Sequence, residues 1–576
     1  MINNHSDLNN YKKLVLNTSE EIPYSRIKNT MFCTEAIKIN KNNMNKYQQN
    51  DSINILNNNF SSNNNNQKSL KVVYHDKYFK ENINKITYFE DLVSILNNEQ
   101  LITLNNLNYI KEPFINSNNI IFDSNFESGN LHMSIELEEL SEYDLIIRPE
   151  LGTNKVYQWF FFSVYVPKNE NYINNKILKF NIINLPKDKS QFNSQCPVLM
   201  YNSTLNKWSR NTFNVFIYNN NIKNEKLKNE FLAYFTLTFS FNFEFDTKYY
   251  FAYSYPYTYT QLKLYLNTLN KDMYKNIIKF GKVGLTLNKN IIPYIVITNF
   301  NSNINEIKKR KCVFLTSRIH PGETSSSYVI QGVINFLTNT KNKISIFLRN
   351  KYIFKIIPMI NIDGVIYGNY RTNIKGRDLN RMWVEPNENH SICVLNIKKL
   401  IKFTLLHREI EFYCDFHGHS NKSNCFLYGC EKKGVQNIEK IFMKILQKNN
   451  NTFDINSCVN KINQSKIKTG RAILKNEFKI DLSYCLESSM ISYTNPINSK
   501  KYFPFNIEKY KKIGFDFCLS LNELFDSNNF NRLLNELNTF NNFLNITHQI
   551  NLNNENNYNN NNNQNNNKSN NNILFE

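Results

Sequence analysis

His320-Pro321-Gly322-Glu323 is answered 97 residues later by His417, in Phe416-His417-Gly418-His419, and a further 70 residues on by Glu487, in Leu486-Glu487-Ser488. Imidazole and carboxylate groups this far apart along a chain share one place only if the fold brings several segment ends together. The intervening sequence has the pattern for that. Apolar strand candidates at Tyr294–Thr298, Cys312–Thr316 and Phe354–Ile357 alternate with amphipathic helical stretches. In Ser325–Leu337, for example, Val329, Ile330, Val333, Ile334 and Leu337 fall on one helical stripe. Strand–helix alternation predicts an α/β sheet domain over 254–527. In such sheets, sites gather where strand ends meet helix starts. His320 and Glu323 are expected on one such turn, with Gly322 letting the backbone fold tightly.

The preceding region has a different texture. From 119 to 253, short runs rich in aromatic and β-branched residues are separated by Asn, Pro and Lys. Examples are Gln158–Val164 and Tyr234–Phe241. Alternation over such short runs predicts an antiparallel β-sandwich. Residues 1–68 and 528–576 are dominated by asparagine and are expected to be disordered, because they cannot bury enough apolar surface to offset chain entropy. The segment 69–118 is left as an unassigned lead-in.

Composition narrows the partners only partly. The chain has 69 Lys+Arg against 48 Asp+Glu, a formal net charge of +21. That field attracts anions in general. The lysines are scattered without a compact basic motif, so nucleic acid is not the expected partner, and a compositional bias towards Lys, Asn, Ile and Tyr explains the charge equally well. Ten cysteines lie far apart with no C-x-x-C, which suits a reducing compartment. Neither a signal pattern nor an apolar stretch of about 18 residues is visible, so no membrane association is expected and the chain reads as cytoplasmic.

Several residues invite chemistry, each beside a plainer alternative. Three His and Glu side chains hold Zn²⁺ while leaving a fourth position open; an isolated H-x-x-E is ordinarily a surface pair. Arg371, Asn380 and Arg381 fall in one short segment and could bind a carboxylate through the planar guanidinium fork. The alternative is a solvated loop in which Asp378 and Arg381 pair with each other. Either His417 or His419 could be a metal ligand, with Asp415 orienting it from behind. Glu487 is one acid in a mostly apolar strand, where burial raises a carboxyl pKa.

Taken together, HPGE, NIDGV, GNYR, GRDLNRMW, DFHGHS, FLYG and YCLESS resemble the zinc metallocarboxypeptidases of the carboxypeptidase A type. FESGNL (126–131), EYDLIIRPE (142–150), QWFFF (158–162), WSR (208–210) and YFAYSYPYTYT (250–260) resemble, more narrowly, the cytosolic carboxypeptidase subfamily that removes glutamates from tubulin and other proteins. The resemblance implies a carboxypeptidase-type mixed sheet flanked by helices over 254–527, and one zinc per chain held by His320, Glu323 and His417. It implies that Asn380 and Arg381 hold the terminal carboxylate of the substrate, that Arg371 stabilises the oxyanion and that Glu487 is the general base. His419 is expected to be a packed neighbour. Arg471, in Lys468-Thr469-Gly470-Arg471-Ala472, corresponds to a basic residue in the pocket for the terminal side chain, although the local order departs from the subfamily's.

The function expected from the resemblance is zinc-dependent removal of glutamates from acidic protein tails, tubulin foremost. Two alternatives are tubulin detyrosination and non-catalytic binding of microtubules or nucleic acid.

Overall fold

The computed structural model describes residues 71–75, 120–137, 141–153, 158–168, 176–186, 192, 196–223, 233–431, 438–495, 498–526 and 532. The expectations for 1–68 and, residue 532 apart, for 528–576 lie outside these residues.

The N-terminal half is a pair of facing sheets. One has six strands in the order β1-β3-β4-β6-β10-β9: β1 (Lys71–His75), β3 (Met133–Glu136), β4 (Glu142–Ile146), β6 (Lys176–Leu185), β9 (Phe213–Lys223) and β10 (Ala233–Phe243). The other has five in the order β2-β5-β11-β7-β8: β2 (Ile121–Asp123), β5 (Phe161–Tyr165), β7 (Leu199–Asn202), β8 (Lys207–Ser209) and β11 (Lys248–Ala252). Phe180 of the first sheet meets Phe162 and Phe251 of the second at ring-centroid distances of 6.4 and 5.6 Å. These alternating aromatic residues form the sandwich core. The structure corrects the expected sandwich in two places. β4 and β6 pair in parallel, so the sandwich is not wholly antiparallel. β1, from the segment left unassigned, pairs with β3 and becomes an edge strand.

The C-terminal half is built on a seven-stranded mixed sheet in the order β12-β13-β15-β14-β16-β18-β17. Its strands are β12 (Ile278–Leu285), β13 (Ile291–Ile297), β14 (Lys311–Ser317), β15 (Tyr352–Ile357), β16 (Ile410–His419), β17 (Cys425–Tyr428) and β18 (Leu482–Ser489). β15, β14, β16 and β18 run parallel, while the outer strands are antiparallel. The parallel strands read as near-continuous apolar runs because helices cover both faces. Phe412, Phe442, Tyr484 and Phe517 pack together with centroids 5.0–5.9 Å apart, locking β16 and β18 to helices Ile438–Asn449 and Ile507–Leu524. Helix Ser325–Thr338 follows β14 as the apolar stripe predicts.

The two halves are tied by polar contacts as well as packing. The Glu127 carboxylate accepts the Tyr259 and Thr260 N–H groups at the start of helix Tyr259–Leu269, where an anion suits the helix terminus. Ser254 and Thr324 hydroxyls lie 2.5 Å apart, and Tyr253 packs edge-on to Tyr370. Among the described residues all nine cysteines are free thiols, and no helix is long and apolar enough to cross a membrane.

Candidate active site

The site forms at the carboxyl ends of β14, β16 and β18. After β14 the chain turns through Arg318, whose φ of +60° reverses the backbone just before His320. The buried Arg318 guanidinium then braces the turn, donating to the carbonyls of Pro321 (2.7 Å) and Tyr257 (3.0 Å) and to Ser327 Oγ (2.8 Å). Gly322 is required by closeness: its N–H donates to the Tyr370 carbonyl at 2.7 Å, and a Cβ there would overlap the Tyr370 ring and Cα. His320 and Glu323 are thereby aimed into the same space, both buried.

β16 contributes the second histidine. Both His417 and His419 belong to the strand itself. Side chains two apart share a face of a strand, so Asp415 and His417 point the same way. Neighbouring β18 pairs in register, His417 opposite Glu487 and Asp415 opposite Cys485. Glu487 reaches the same face.

The ligating atoms of His320, Glu323 and His417 all lie within 4.8 Å of one another. His320 Nδ1 is 2.7 Å from Glu323 Oε1, and His417 Nδ1 is 2.8 Å from Glu323 Oε2. The opposite nitrogens are engaged by other carboxylates: His320 Nε2 by Asp378 at 3.1 Å and His417 Nε2 by Asp415 at 2.8 Å. An Nε2–H donated to a carboxylate leaves the Nδ1 lone pair facing Glu323. Two imidazole lone pairs and a carboxylate then converge as acceptors only, an arrangement that needs a cation between them. This donor set fits Zn²⁺, with the outer carboxylates fixing ring orientation. His419 takes no part in the cluster: its Nδ1 accepts the Asn421 and Lys422 N–H groups, and burial pushes its pKa down to about 4.

Around this cluster lies a cavity of about 610 Å³. Glu487, Arg371, Asn380, Arg381 and Arg471 all line it. Burial pushes the Glu487 carboxyl up to about 7, and the neighbouring Glu323 carboxylate adds to the shift. Asp378 is shared more widely than a simple loop pair: Arg371 Nη2 donates to it at 2.6 Å, and Arg381 Nη1 lies 4.0 Å away. Burial opposes its ionisation too, but His320, Arg371 and Arg381 hold Asp378 well below the usual value. Asn380 Oδ1 accepts the Gly470 N–H at 3.0 Å, joining this segment to the one bearing Arg471.

Arg471 is buried, with its guanidinium 5.6 Å from the centroid of the Tyr428 ring and donating to the Gly429 carbonyl. Among the described residues no carboxylate lies within 4 Å of it. Lys461 and Lys466 also line the cavity, and neither featured in the sequence reading. Burial together with Arg381 and Arg371 pulls the Lys466 ammonium below its ordinary pKa. From the sandwich, Gln158 and Pro186 reach the same cavity.

Comparison with known proteins places this architecture. Residues 263–520 match the family model for zinc carboxypeptidases. The chain is 34% identical over 436 residues to cytosolic carboxypeptidase 1 of Gallus gallus, covering 69% of this chain and 35% of that protein. It is likewise 34% identical over 418 residues to cytosolic carboxypeptidase 2 of Mus musculus, covering 71% and 47% respectively. The chain thus spans between a third and a half of the length of these relatives. Among solved structures, a metallo-carboxypeptidase from Burkholderia cenocepacia shares the fold at a TM-score of 0.57 and 18% identity, covering 70% of this chain and 98% of that one. One from Pseudomonas aeruginosa does so at 0.56 and 20% identity, covering 70% and 99%. By these matches residues 263–520 form a domain of the zinc carboxypeptidase family, and about 70% of the chain is similar to cytosolic carboxypeptidases.

Proposed function

We propose that this chain is a zinc carboxypeptidase that removes glutamates from acidic protein tails, those of tubulin foremost. The observation that carries the substrate choice is Arg471. A guanidinium buried at a cavity wall with no carboxylate among the described residues to pair with is costly, and a substrate carboxylate offsets that cost. Lys461 and Lys466 extend the positive lining outward, in keeping with several acidic side chains in a row. A cytoplasmic site of action, beside microtubules, goes with the same reading.

In this reading His320, Glu323 and His417 hold the zinc, one per chain. When bound, the metal supplies Lewis acidity at this point, acidifying water and polarising a carbonyl. Arg381 and Asn380 receive the substrate's terminal carboxylate, which confines cleavage to the last residue. Arg371 offers its guanidinium to the charge that develops on the scissile carbonyl oxygen. Glu487 takes a proton from the attacking water on a carboxylate oxygen and passes it to the leaving amine. Asp378 and Asp415 keep the two imidazoles turned the right way.

Replacing Arg471 by methionine tests the substrate choice. The expected result is a loss of kcat/KM on a peptide ending in glutamate of at least about 2 kcal/mol, roughly 30-fold, the cost of truncating one partner of a buried charge pair. Activity on a peptide ending in tyrosine should not fall with it. Equal glutamate release by the variant and the wild type contradicts the proposal, and a wild type that prefers terminal tyrosine would point to detyrosination.

A further inference from the structure

Arg371 sits in an irregular segment between helix Ile362–Ile366 and the turn Leu379–Arg381, so no strand or helix of the catalytic half holds its backbone. Gly322 N–H holds the preceding Tyr370 carbonyl, and the rest of the hold comes from the β-sandwich. Glu150, 221 residues earlier in the chain, accepts the Arg371 N–H on Oε1 at 2.9 Å. Its Oε2 accepts both the Thr372 N–H and the Thr372 hydroxyl, each at 2.6 Å. The neighbouring Leu151 N–H donates to Asn369 Oδ1 at 2.8 Å. One step further, Gly152 and Gly376 bring their backbones together, both at positive φ, where a Cβ on either would overlap the other chain segment. Glu150 is 3% exposed. Burying a carboxylate is costly, and three short bonds to a single loop are what offset that cost. Within the catalytic half, Asp378 holds the guanidinium end of Arg371, while Glu150 holds its backbone end.

We propose that Glu150 is a positioning residue for Arg371: reaching across from the sandwich, it sets where the guanidinium stands over the scissile carbonyl. The sandwich is then a working part of the active site and not only a lead-in domain. This rests on the reading of Arg371 as the group that stabilises the oxyanion. A small misplacement of such a group removes much of its effect, because its value lies in preorganised aim.

The test compares full-length, zinc-loaded wild type with Glu150→Gln, Thr372→Val, Arg371→Ala and the double variant Glu150→Gln/Arg371→Ala on one glutamate-ending peptide. Zinc content and unfolding are measured alongside. Glu150→Gln turns one accepting oxygen into a donor facing an N–H group. The expected result is a fall in kcat on the order of 10²-fold, with KM changed no more than about twofold and zinc content unchanged. Thr372→Val, which removes one of the three bonds, should give a smaller loss of the same kind. In the Arg371→Ala background, Glu150→Gln should cost nothing further, since a residue that acts through another is non-additive with it.

A Glu150→Gln enzyme with wild-type kcat, or one whose loss adds in full to that of Arg371→Ala, overturns the inference while leaving the functional reading intact. If Glu150→Gln does not fold, Thr372→Val decides by the same criteria, alone and combined with Arg371→Ala. A wild type inactive on every peptide overturns the functional reading and this inference with it.

Discussion

Asp378 and Asp415 do not face the cluster of ligating atoms, yet they decide which nitrogen of each histidine does. Both accept from Nε2, leaving Nδ1 to turn inward. Asp415→Asn should therefore weaken zinc binding by about 10- to 100-fold, the usual cost of removing such an outer partner. Competition against a chelator reads this directly; unchanged affinity would mean that ring packing alone orients His417. The sequence hinted at Asp415, because a residue two before His417 on a strand must share its face. It gave no hint that Asp378 serves His320, which lies 58 residues away and meets it only through the fold. Glu150 was harder still. It closes a sequence block that resembles the subfamily, but its partners are more than 200 residues distant. Gly322 was singled out as a turn former, whereas its position is dictated by the backbone and ring of Tyr370 pressing against it.

At the scale of elements, the sheet was readable where burial produces continuous apolar runs: Cys312–Thr316 proved to be most of β14, and Phe354–Ile357 the end of β15. Partner choice was not, since pairing depends on segments far away in sequence. β1 and the parallel pairing of β4 with β6 are both of that kind. β15 also hides a charge. Lys355 is buried in the middle of this strand, donating to Thr404 Oγ1 at 2.7 Å, and burial pulls its pKa from 10.5 to about 8. The sign follows from proton counting. Between about 8 and 10.5 the unfolded chain binds the proton and the folded one does not, so stability rises with pH across that window. Below it, folding bears a constant penalty of about 3 kcal/mol. Lys355→Met should consequently raise stability at pH 7, and its advantage should shrink as the pH approaches 10.5. Denaturation midpoints of the two proteins at both pH values check this. An advantage that does not change with pH would show that the gain is one of packing.

For the whole molecule, both halves line one cavity. In the proposed reading the C-terminal half supplies the metal ligands and the base, from the ends of parallel strands. The sandwich caps a helix through Glu127, braces the Arg371 loop through Glu150 and places Gln158 and Pro186 at the cavity wall. That division explains why sequence blocks on both sides of residue 254 resemble the same subfamily. The positive charge, which composition alone left ambiguous, gains a local meaning in the cavity, where Arg471, Lys461 and Lys466 gather.

The most direct test is release of free glutamate from a peptide ending in several glutamates, by zinc-loaded wild type and by Glu487→Gln. The wild type should release glutamate, and the variant should lose that release while still binding zinc. A zinc-bound, folded wild type that releases none, or a variant that releases as much, would contradict the proposed function.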